Sequence, residues 1–576
     1  MQRSWGSWKL WAAAALSAIL LELPFPLAGP LPASRGVFAW FGLAPLLCAI
    51  LSQQGISQPK PLRRSFLLSY FCGFLWYLGN CYWVRDTMAL YGGLPAAVPV
   101  LLLIGYSLVL GLYFGFFGLA VALVRQSTRS PRIALAAAPV FWAAIELAAS
   151  RITSVPWDQL GYSQVDNALV NQLAPWTGVY GISFVLVAVN ALLAGALLLD
   201  RCWNRPFWQS ARPWGIVGVL LMATGACGIF FVPPHPAPTA TAVLIQPNLD
   251  VGDESRWDGP GEWNAHMAQF TQLAGEQCKQ YIAGQPETGA PTVVPQCPQP
   301  THPDLVVWPE SPAPFEETDP RFQRALATIA HTIGAPLIVG NIGWSLSAAD
   351  PDAPRPETAS PGERVQEWNY FNSAVVIGAD GVRVGRYDKI HLVPFGEYVP
   401  FARLLTFARK LTGRVSKFTR GDQRKVFRLP TADGAAHRYG VFICYESVFA
   451  DEIRQFSQLG AEVLVNISDD GWYGDTSAPW QHLNMVRMRA IENRRWILRD
   501  TNNGVTTVID PYGRIRQSIP RHQVDALPAQ YAFRSDITFY TAHGDLFAWA
   551  CVLLSSGVIF WLGIWPQQRE QGHVQG

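Results

Sequence analysis

Arg438-Tyr439-Gly440-Val441-Phe442-Ile443-Cys444-Tyr445-Glu446 is the stretch on which the reading of this chain turns. Its apolar positions are consecutive, as in a strand buried on both faces, and its polar end begins at a thiol. Thiolate is the most nucleophilic common side chain near neutral pH, and a strand end presents it to a substrate. Two other segments supply what such a thiol needs. Val306-Val307-Trp308-Pro309-Glu310 is an apolar run ending in a carboxylate, and Tyr387-Asp388-Lys389-Ile390-His391 carries an ammonium. Nucleophile, base and fixed cation together point to acyl transfer. Taken singly, each has a plainer reading: Cys444 as a small buried hydrophobe, Glu310 as a loop carboxylate in a surface ion pair, Lys389 as a solvated lysine.

Outward from Cys444, between about residues 240 and 542, short β-branched runs alternate with helical stretches. Strands are expected over 242–246, 304–308, 336–340, 373–378, 439–444, 463–467 and 505–509, and a helix over 480–499. This predicts an α/β or α+β sandwich, with Pro/Gly-rich surface loops at 283–303 and 348–362. Cys278 and Cys297 either form a disulfide or stand as free thiols, leaving Cys444 unpaired.

The flanks of this insert are of another kind. The chain has 576 residues, 50% hydrophobic and only 15% charged, whereas soluble domains carry roughly 25% charge. Runs without charge, apart from Glu146 in the fifth, fall at 10–21, 37–51, 65–84, 96–124, 133–149, 178–199, 214–232 and 546–565. Most approach or exceed the roughly 20 residues that span a bilayer core, so about eight crossings are expected. The hydrophobic segments following the first run favour a retained anchor over a signal peptide. The expected divisions are membrane helices over 1–235, an insert domain over 240–540, a last crossing over 543–566 and a tail over 567–576.

Cations set the expected orientation. Arg3, Lys9, Lys60, Arg63, Arg64, Arg125, Arg129, Arg132, Arg201, Arg205 and Arg212 fall on one side, and only Arg35, Arg85 and Arg151 in the alternate loops. The first set faces the cytoplasm, which puts the insert outside and both termini inside. The net charge of +2, with no basic block, gives no reason to expect nucleic acid. No His/Cys group has metal-ligand spacing, and no cofactor is expected. Glu146, in an otherwise apolar run, is costly in a membrane unless paired, and reads first as an inter-helix contact.

Trp308-Pro309-Glu310, Lys389 and Cys444-Tyr445-Glu446 resemble the Glu-Lys-Cys triad of the nitrilase superfamily, which implies a four-layer αββα sandwich. Longer strings are more particular: Gln246-Pro247-Asn248, the run from Lys389 through His391, Phe395, Gly396 and Glu397 to Pro400, Asp470-Gly471-Trp472-Tyr473-Gly474, and Thr501-Asn502-Asn503-Gly504. These are similar to the apolipoprotein N-acyltransferase family, over almost the whole chain. The resemblance implies a multi-pass helical domain in the bacterial inner membrane bearing a periplasmic nitrilase-like domain. It implies Glu310 as general base, Lys389 as oxyanion stabiliser and Cys444 as nucleophile, supported by Glu397, Tyr445 and Glu446. Trp257 matches a family tryptophan near the lipid entrance. Asp469-Asp470-Gly471 departs from the Asn-Asp-Ala common there, and the stretch from Cys278 to Cys297 is long. Both departures are expected to bear on substrate fit and not on chemistry.

The implied reaction is ping-pong. Cys444 takes the sn-1 acyl chain of a phospholipid as a thioester, and the α-amine of a diacylglyceryl-cysteine on an apolipoprotein receives it. Phe401, Leu404, Leu405, Ala408 and Leu411 recur at helical spacing among Arg403, Arg409, Lys410, Arg414 and Lys417, as in a segment that lies in the headgroup layer and gates a lipid cleft, or in a helix packed on its own domain. Phe401, Leu404 and Leu405 are therefore candidate lipid contacts. A monomer is expected. The rivals are a membrane-anchored amidase or nitrilase using water, and a non-catalytic membrane scaffold.

Overall fold

The computed structural model describes residues 7–52, 61–92, 94–199, 212–251, 260–274, 282–284, 291–293, 303–310, 317–346, 368–398 and 418–572. Trp257, Cys278, Cys297 and the segment from Phe401 through Leu404 and Leu405 to Leu411 lie outside the described residues.

Each of the eight apolar runs is largely helical. The N-terminal part holds α1 (Ser7–Glu22), a 3-10 stretch Ala33–Trp40 leading into α2 (Ala44–Ser52), α3 (Pro61–Asn80), α4 (Trp83–Tyr91), α5 (Ala97–Thr128), α6 (Pro131–Ala148), α7 (Val179–Leu199) and α8 (Arg212–Ala226). Among the described residues, five helical segments are long and apolar enough to cross a membrane: Ala33–Ser52, Ala97–Thr128, Pro131–Thr153, Val179–Leu198 and Pro213–Phe230. Near the other end of the chain, Leu546–Leu562 is a shorter apolar helix. Glu146 holds together two parts of the bundle: its Oε1 accepts from Trp142 Nε1 at 2.9 Å and from the Leu160 N–H at 2.8 Å.

The insert contains β1 (Ala240–Gln246), α9 (Pro260–Ala274), a small ladder of β2 (Ile282–Gly284) and β3 (Pro291–Val293), β4 (Leu305–Val307), α10 (Pro320–Ile333), β5 (Leu337–Leu346), β6 (Trp368–Ile377), β7 (Arg383–Asp388), β8 (Val426–Pro430), β9 (Ala436–Ile443), α11 (Ala450–Gln458), β10 (Val463–Ser468), α12 (Ala478–Asn493), β11 (Ile497–Thr501), β12 (Thr506–Ile509), β13 (Ile515–Ile519) and β14 (Asp525–Tyr531), followed by α13 (Leu546–Gly572). Two six-stranded sheets form, in the orders β14-β1-β4-β5-β6-β7 and β13-β12-β11-β10-β9-β8. In each, three consecutive strands run parallel: β1, β4 and β5 in one, β9, β10 and β11 in the other.

Side-chain alternation decides the layering. Ala242, Leu244, Leu305 and Val307 enter a core shared with Val441, Ile443, Leu464 and Val508 of the second sheet. Their neighbours Val243, Ile245, Val306 and Trp308 point the other way, onto Phe270 of α9 and Phe322, Leu326 and Ile329 of α10. α10 shows why a helix forms there: Asp319 caps it by accepting from the Arg321 N–H at 2.8 Å, Pro320 opens it, and Gly334, at φ 72°, closes it. Helices α11 and α12 cover the second sheet, through Ile453, Phe456, Leu483, Val486 and Ala490. The result is the expected helix–sheet–sheet–helix sandwich.

One expected helix is shorter than its pattern. The helix expected over 480–499 stops at Asn493; Arg494 turns left-handed at φ 51°, and Ile497–Thr501 becomes a central strand parallel to β10. Arg499 disguises that strand. It is fully buried, its charge met by Asp470 at 2.7 Å and by Asn466.

Helix α12 belongs to two cores at once. Leu483, Val486 and Ala490 face the sandwich, whereas Met485, Met488 and Ile491 pack into the membrane-helix cluster. A buried polar seam joins the two parts. Trp157 Nε1 donates to Gln481 Oε1 at 2.8 Å, Gln481 Nε2 to the Pro26 carbonyl at 3.0 Å, and the Val179 N–H to Glu492 Oε1 at 3.1 Å.

Candidate active site

The site lies where the C-terminal ends of the two parallel strand triplets meet. β1 and β11 touch there, with the Asn248 N–H donating to the Asn502 carbonyl at 2.9 Å and the Leu249 N–H to Asn502 Oδ1 at 2.9 Å. Thus Gln246-Pro247-Asn248 and Thr501-Asn502-Asn503-Gly504, far apart in the chain, form one floor.

Glu310 follows β4. Its base is rigid because Trp308 stacks on Phe270, with ring centroids 4.0 Å apart and planes within 16°. Lys389 follows β7 and is almost wholly buried. Its Nζ donates to Glu310 Oε1 at 2.9 Å and to Glu397 Oε1 at 3.0 Å. Asn372 of β6 bridges the same two carboxylates, its Nδ2 donating at 2.7 Å to Glu310 and 2.6 Å to Glu397. The other oxygen of Glu310 accepts from the Asp469 N–H at 2.9 Å, and that of Glu397 from the Val393 N–H at 2.7 Å. Both carboxylates are therefore fixed through both oxygens.

Cys444 closes β9 and opens a 3-10 turn, Cys444–Val448. Its φ of 47° is left-handed, a conformation that costs a non-glycine residue of order 1–3 kcal/mol and concentrates at functional sites. Glu446 enforces the turn. Its Oε2 accepts from the Ile443 N–H at 2.7 Å, and its Oε1 from Tyr387 Oη at 2.7 Å and the Ile390 N–H at 2.6 Å. Glu446 thus ties the Cys444 turn to the segment that carries Lys389. Tyr445 reaches the other way, its hydroxyl donating to the Ser154 carbonyl of the membrane part at 3.0 Å.

Charge follows from this geometry. Burial opposes ionisation of Glu310, but the adjacent Lys389 and three hydrogen bonds hold its carboxyl below the usual range. Burial likewise opposes the Lys389 ammonium, and Glu310 with Glu397 override it and hold the group well above its ordinary value. Burial and the Glu310 charge push the Cys444 thiol well up, against the opposing pull of Lys389. The resting site is thiol, carboxylate and ammonium. A carboxylate that can accept a proton and a fixed cation thus share one buried site with a thiol.

Comparison with known proteins bears on the family of the chain. Residues 10–192 match the apolipoprotein N-acyltransferase N-terminal domain, and residues 265–525 match the carbon-nitrogen hydrolase domain. A relative from Geobacter metallireducens, named apolipoprotein N-acyltransferase, is 34% identical over 94% of this chain and 92% of its own length. The chain belongs to the apolipoprotein N-acyltransferase family. Two further relatives of that name are 30% identical, from Ralstonia nicotianae, covering 97% of this chain and 96% of their own, and 29% identical, from Pseudomonas aeruginosa, covering 94% of each.

Of the residues expected at the site, the fold brings Glu310, Lys389 and Glu397 into direct contact, and the charges of Glu310 and Lys389 act on the Cys444 thiol. Sequence reading missed Asn372, whose polar side chain in an apolar strand gives no signal of what it bridges. It also misjudged Asp469. The departure Asp469-Asp470-Gly471 is expected to act on substrate fit alone, yet the Asp469 N–H donates to Glu310, and its own carboxyl is buried beside it. Burial, then the Glu310 charge, push that carboxyl up to about 8.

Proposed function

We propose that this acyltransferase moves the sn-1 acyl chain of a phospholipid, through a thioester on Cys444, to the α-amine of an S-diacylglyceryl-cysteine on an apolipoprotein. Glu310 is the general base and Lys389 the oxyanion partner. As Cys444 Sγ bonds to the ester carbon, the carbonyl electron pair moves onto oxygen and the thiol proton passes to Glu310. Collapse expels the lysophospholipid oxygen, which takes that proton. The amine then attacks the thioester, and its proton returns through Glu310 to the sulfur.

The observation that carries this reading is the contact of Lys389 with Glu310 and Glu397, beside a cysteine held in a left-handed turn. The seam along α12 favours a lipid donor, because drawing an acyl chain into water costs about 0.8 kcal/mol per CH₂ and a site packed on membrane helices avoids that. The cation bias of the loops supports a periplasmic catalytic domain over 240–540, with membrane helices over 1–235 and 543–566 and both termini cytoplasmic. The enzyme acts as a monomer, without a cofactor. Incubation with phospholipid and a diacylated lipopeptide tests the function, read by mass spectrometry: N-acyl peptide is expected. Free fatty acid alone supports a hydrolase, and no turnover at all supports a scaffold.

A further inference from the structure

His482, on α12, has no exposed surface. Its Nε2 lies 3.1 Å from the carbonyl oxygen of Cys444 and 2.6 Å from Ser447 Oγ. Its Nδ1 lies 3.1 Å from Asp470 Oδ1 and 3.2 Å from Arg499 Nη2. A carbonyl oxygen only accepts, so a bare Nε2 would set two lone pairs against each other; a bare Nδ1 faces Asp470 Oδ1, but that oxygen already accepts from Ser468 Oγ at 3.0 Å and from Arg499 Nη2 at 2.9 Å, so the single proton of the ring is assigned to Nε2. Arg499 supports this tautomer. Its Nη2 donates to Nδ1 and to both oxygens of Asp470, at 2.9 and 2.7 Å. Burial and the Arg499 charge hold the imidazole below its usual range, so the ring is neutral. Trp157, from the loop after α6, lies parallel to it, with centroids 6.1 Å apart and planes within 15°.

The carbonyl that His482 grips belongs to the same planar trans peptide as the Tyr445 N–H, so the two groups point in opposite directions. Fixing the oxygen fixes the hydrogen. Tyr445 is the second residue of the 3-10 turn, where N–H groups have no partner inside the turn. A donor on the carbonyl also polarises the amide and strengthens the N–H at its far end.

We propose that His482 is a positioning residue whose Nε2–H holds the Cys444 carbonyl and so aims the Tyr445 N–H at the oxyanion formed when Cys444 attacks an acyl carbonyl. The inference rests on the Glu310–Lys389–Cys444 reading and extends it by naming what orients the second oxyanion donor. Membrane part and nucleophile are thereby coupled, through Trp157, His482 and one peptide plane.

The test uses the full-length protein in detergent, with His482→Gln, whose amide nitrogen reaches the Nε2 position, and His482→Asn, which reaches only Nδ1. Two rates are read: N-acylation of a diacylated lipopeptide, and alkylation of Cys444 by iodoacetamide, followed on the Cys444 peptide by mass spectrometry. Alkylation displaces iodide at a saturated carbon and forms no oxyanion. His482→Asn is expected to lose about 10²-fold in kcat with KM little changed, the usual effect of one lost oxyanion donor. His482→Gln should stay near wild type in kcat, and both variants should alkylate at the wild-type rate. Wild-type acylation by His482→Asn, or alkylation falling in parallel with kcat, overturns the proposal. Should His482→Asn fail to fold, Ser447→Ala decides: it leaves Nε2–H undivided on the Cys444 carbonyl, so kcat should hold or rise, and a tenfold fall overturns the proposal. A Cys444→Ser enzyme of undiminished activity removes the ground for both readings, whereas a dead Cys444→Ser with a fully active His482→Asn sinks only this one.

Discussion

Lys389 and Glu310 form a buried ion pair, Nζ to Oε1 2.9 Å, in which the lysine is shared with a second carboxylate, Glu397. Two buried carboxylates thus face one cation. Lys389→Ala strands both, and one takes up a proton. Breaking a buried pair costs about 3–5 kcal/mol, and the loss of the oxyanion partner is expected to lower kcat by about 10²–10³-fold. Lys389→Arg should not rescue activity, because a planar guanidinium does not fit a point-charge site. Thermal unfolding and single-turnover acylation check this. A stable, active Lys389→Ala contradicts it.

Asp469 gives a pH dependence of opposite sign to the usual carboxylate. Its folded-state value is raised from 3.8 to about 8, so the native protein binds the extra proton and stability falls as pH rises from about 4 to 8. At pH 7 the cost is on the order of 4 kcal/mol, at about 1.4 kcal/mol per unit. Asp469→Asn keeps the backbone N–H on Glu310 and cannot ionise. Its melting temperature should exceed that of the wild type by a margin that widens from pH 5 to pH 8. A margin independent of pH contradicts the assignment.

Glu397 and Glu446 make different contacts, and one substitution at each separates their roles. Glu397 touches Lys389 and Asn372, so Glu397→Gln should lower kcat with a small change in stability. Glu446 satisfies Ile443, Tyr387 and Ile390 in a fully buried position. Glu446→Ala leaves several buried donors unpaired, at about 1–3 kcal/mol each, and should prevent stable folding. Equal melting temperatures for the two variants contradict the distinction.

The left-handed Cys444 turn predicts a reversed glycine effect. In an ordinary strand, glycine in place of alanine costs about 0.5–1 kcal/mol. At φ 47°, a Cβ costs about 1–2 kcal/mol. Cys444→Gly should therefore unfold at the same temperature as Cys444→Ala or higher, both variants being inactive. A clearly less stable Cys444→Gly means the turn is not strained.

The limits of the sequence reading have a physical pattern. All seven expected strands lie in or beside observed ones, and each is apolar because it is buried on both faces. The strands that escaped are β7, β8, β13 and β14, which are the four sheet edges, together with β11 and the short ladder. Edge strands carry the charges and prolines that prevent unwanted pairing: Arg383 and Arg386 in β7, Pro430 in β8, Pro528 in β14. β11 escaped because buried Arg499 and Asp500 read as polar surface. Glu310 and Cys444 were legible because each ends an apolar run at a reactive group, whereas Lys389 follows the charged edge strand β7 and has no such signal. Asn372, the Asp469 N–H and His482 were not, since their work depends on what folding brings opposite them.

The proposed reaction depends on Cys444 carrying the acyl group. Full-length protein incubated with a phospholipid labelled in its sn-1 chain, without acceptor, and then digested for mass spectrometry, tests it most directly. One labelled acyl group is expected on the Cys444 peptide, removed by neutral hydroxylamine or by a diacylated lipopeptide, and absent from Glu310→Ala and Lys389→Ala. Labelled N-acyl lipopeptide formed by an enzyme that never bears label at Cys444 contradicts it.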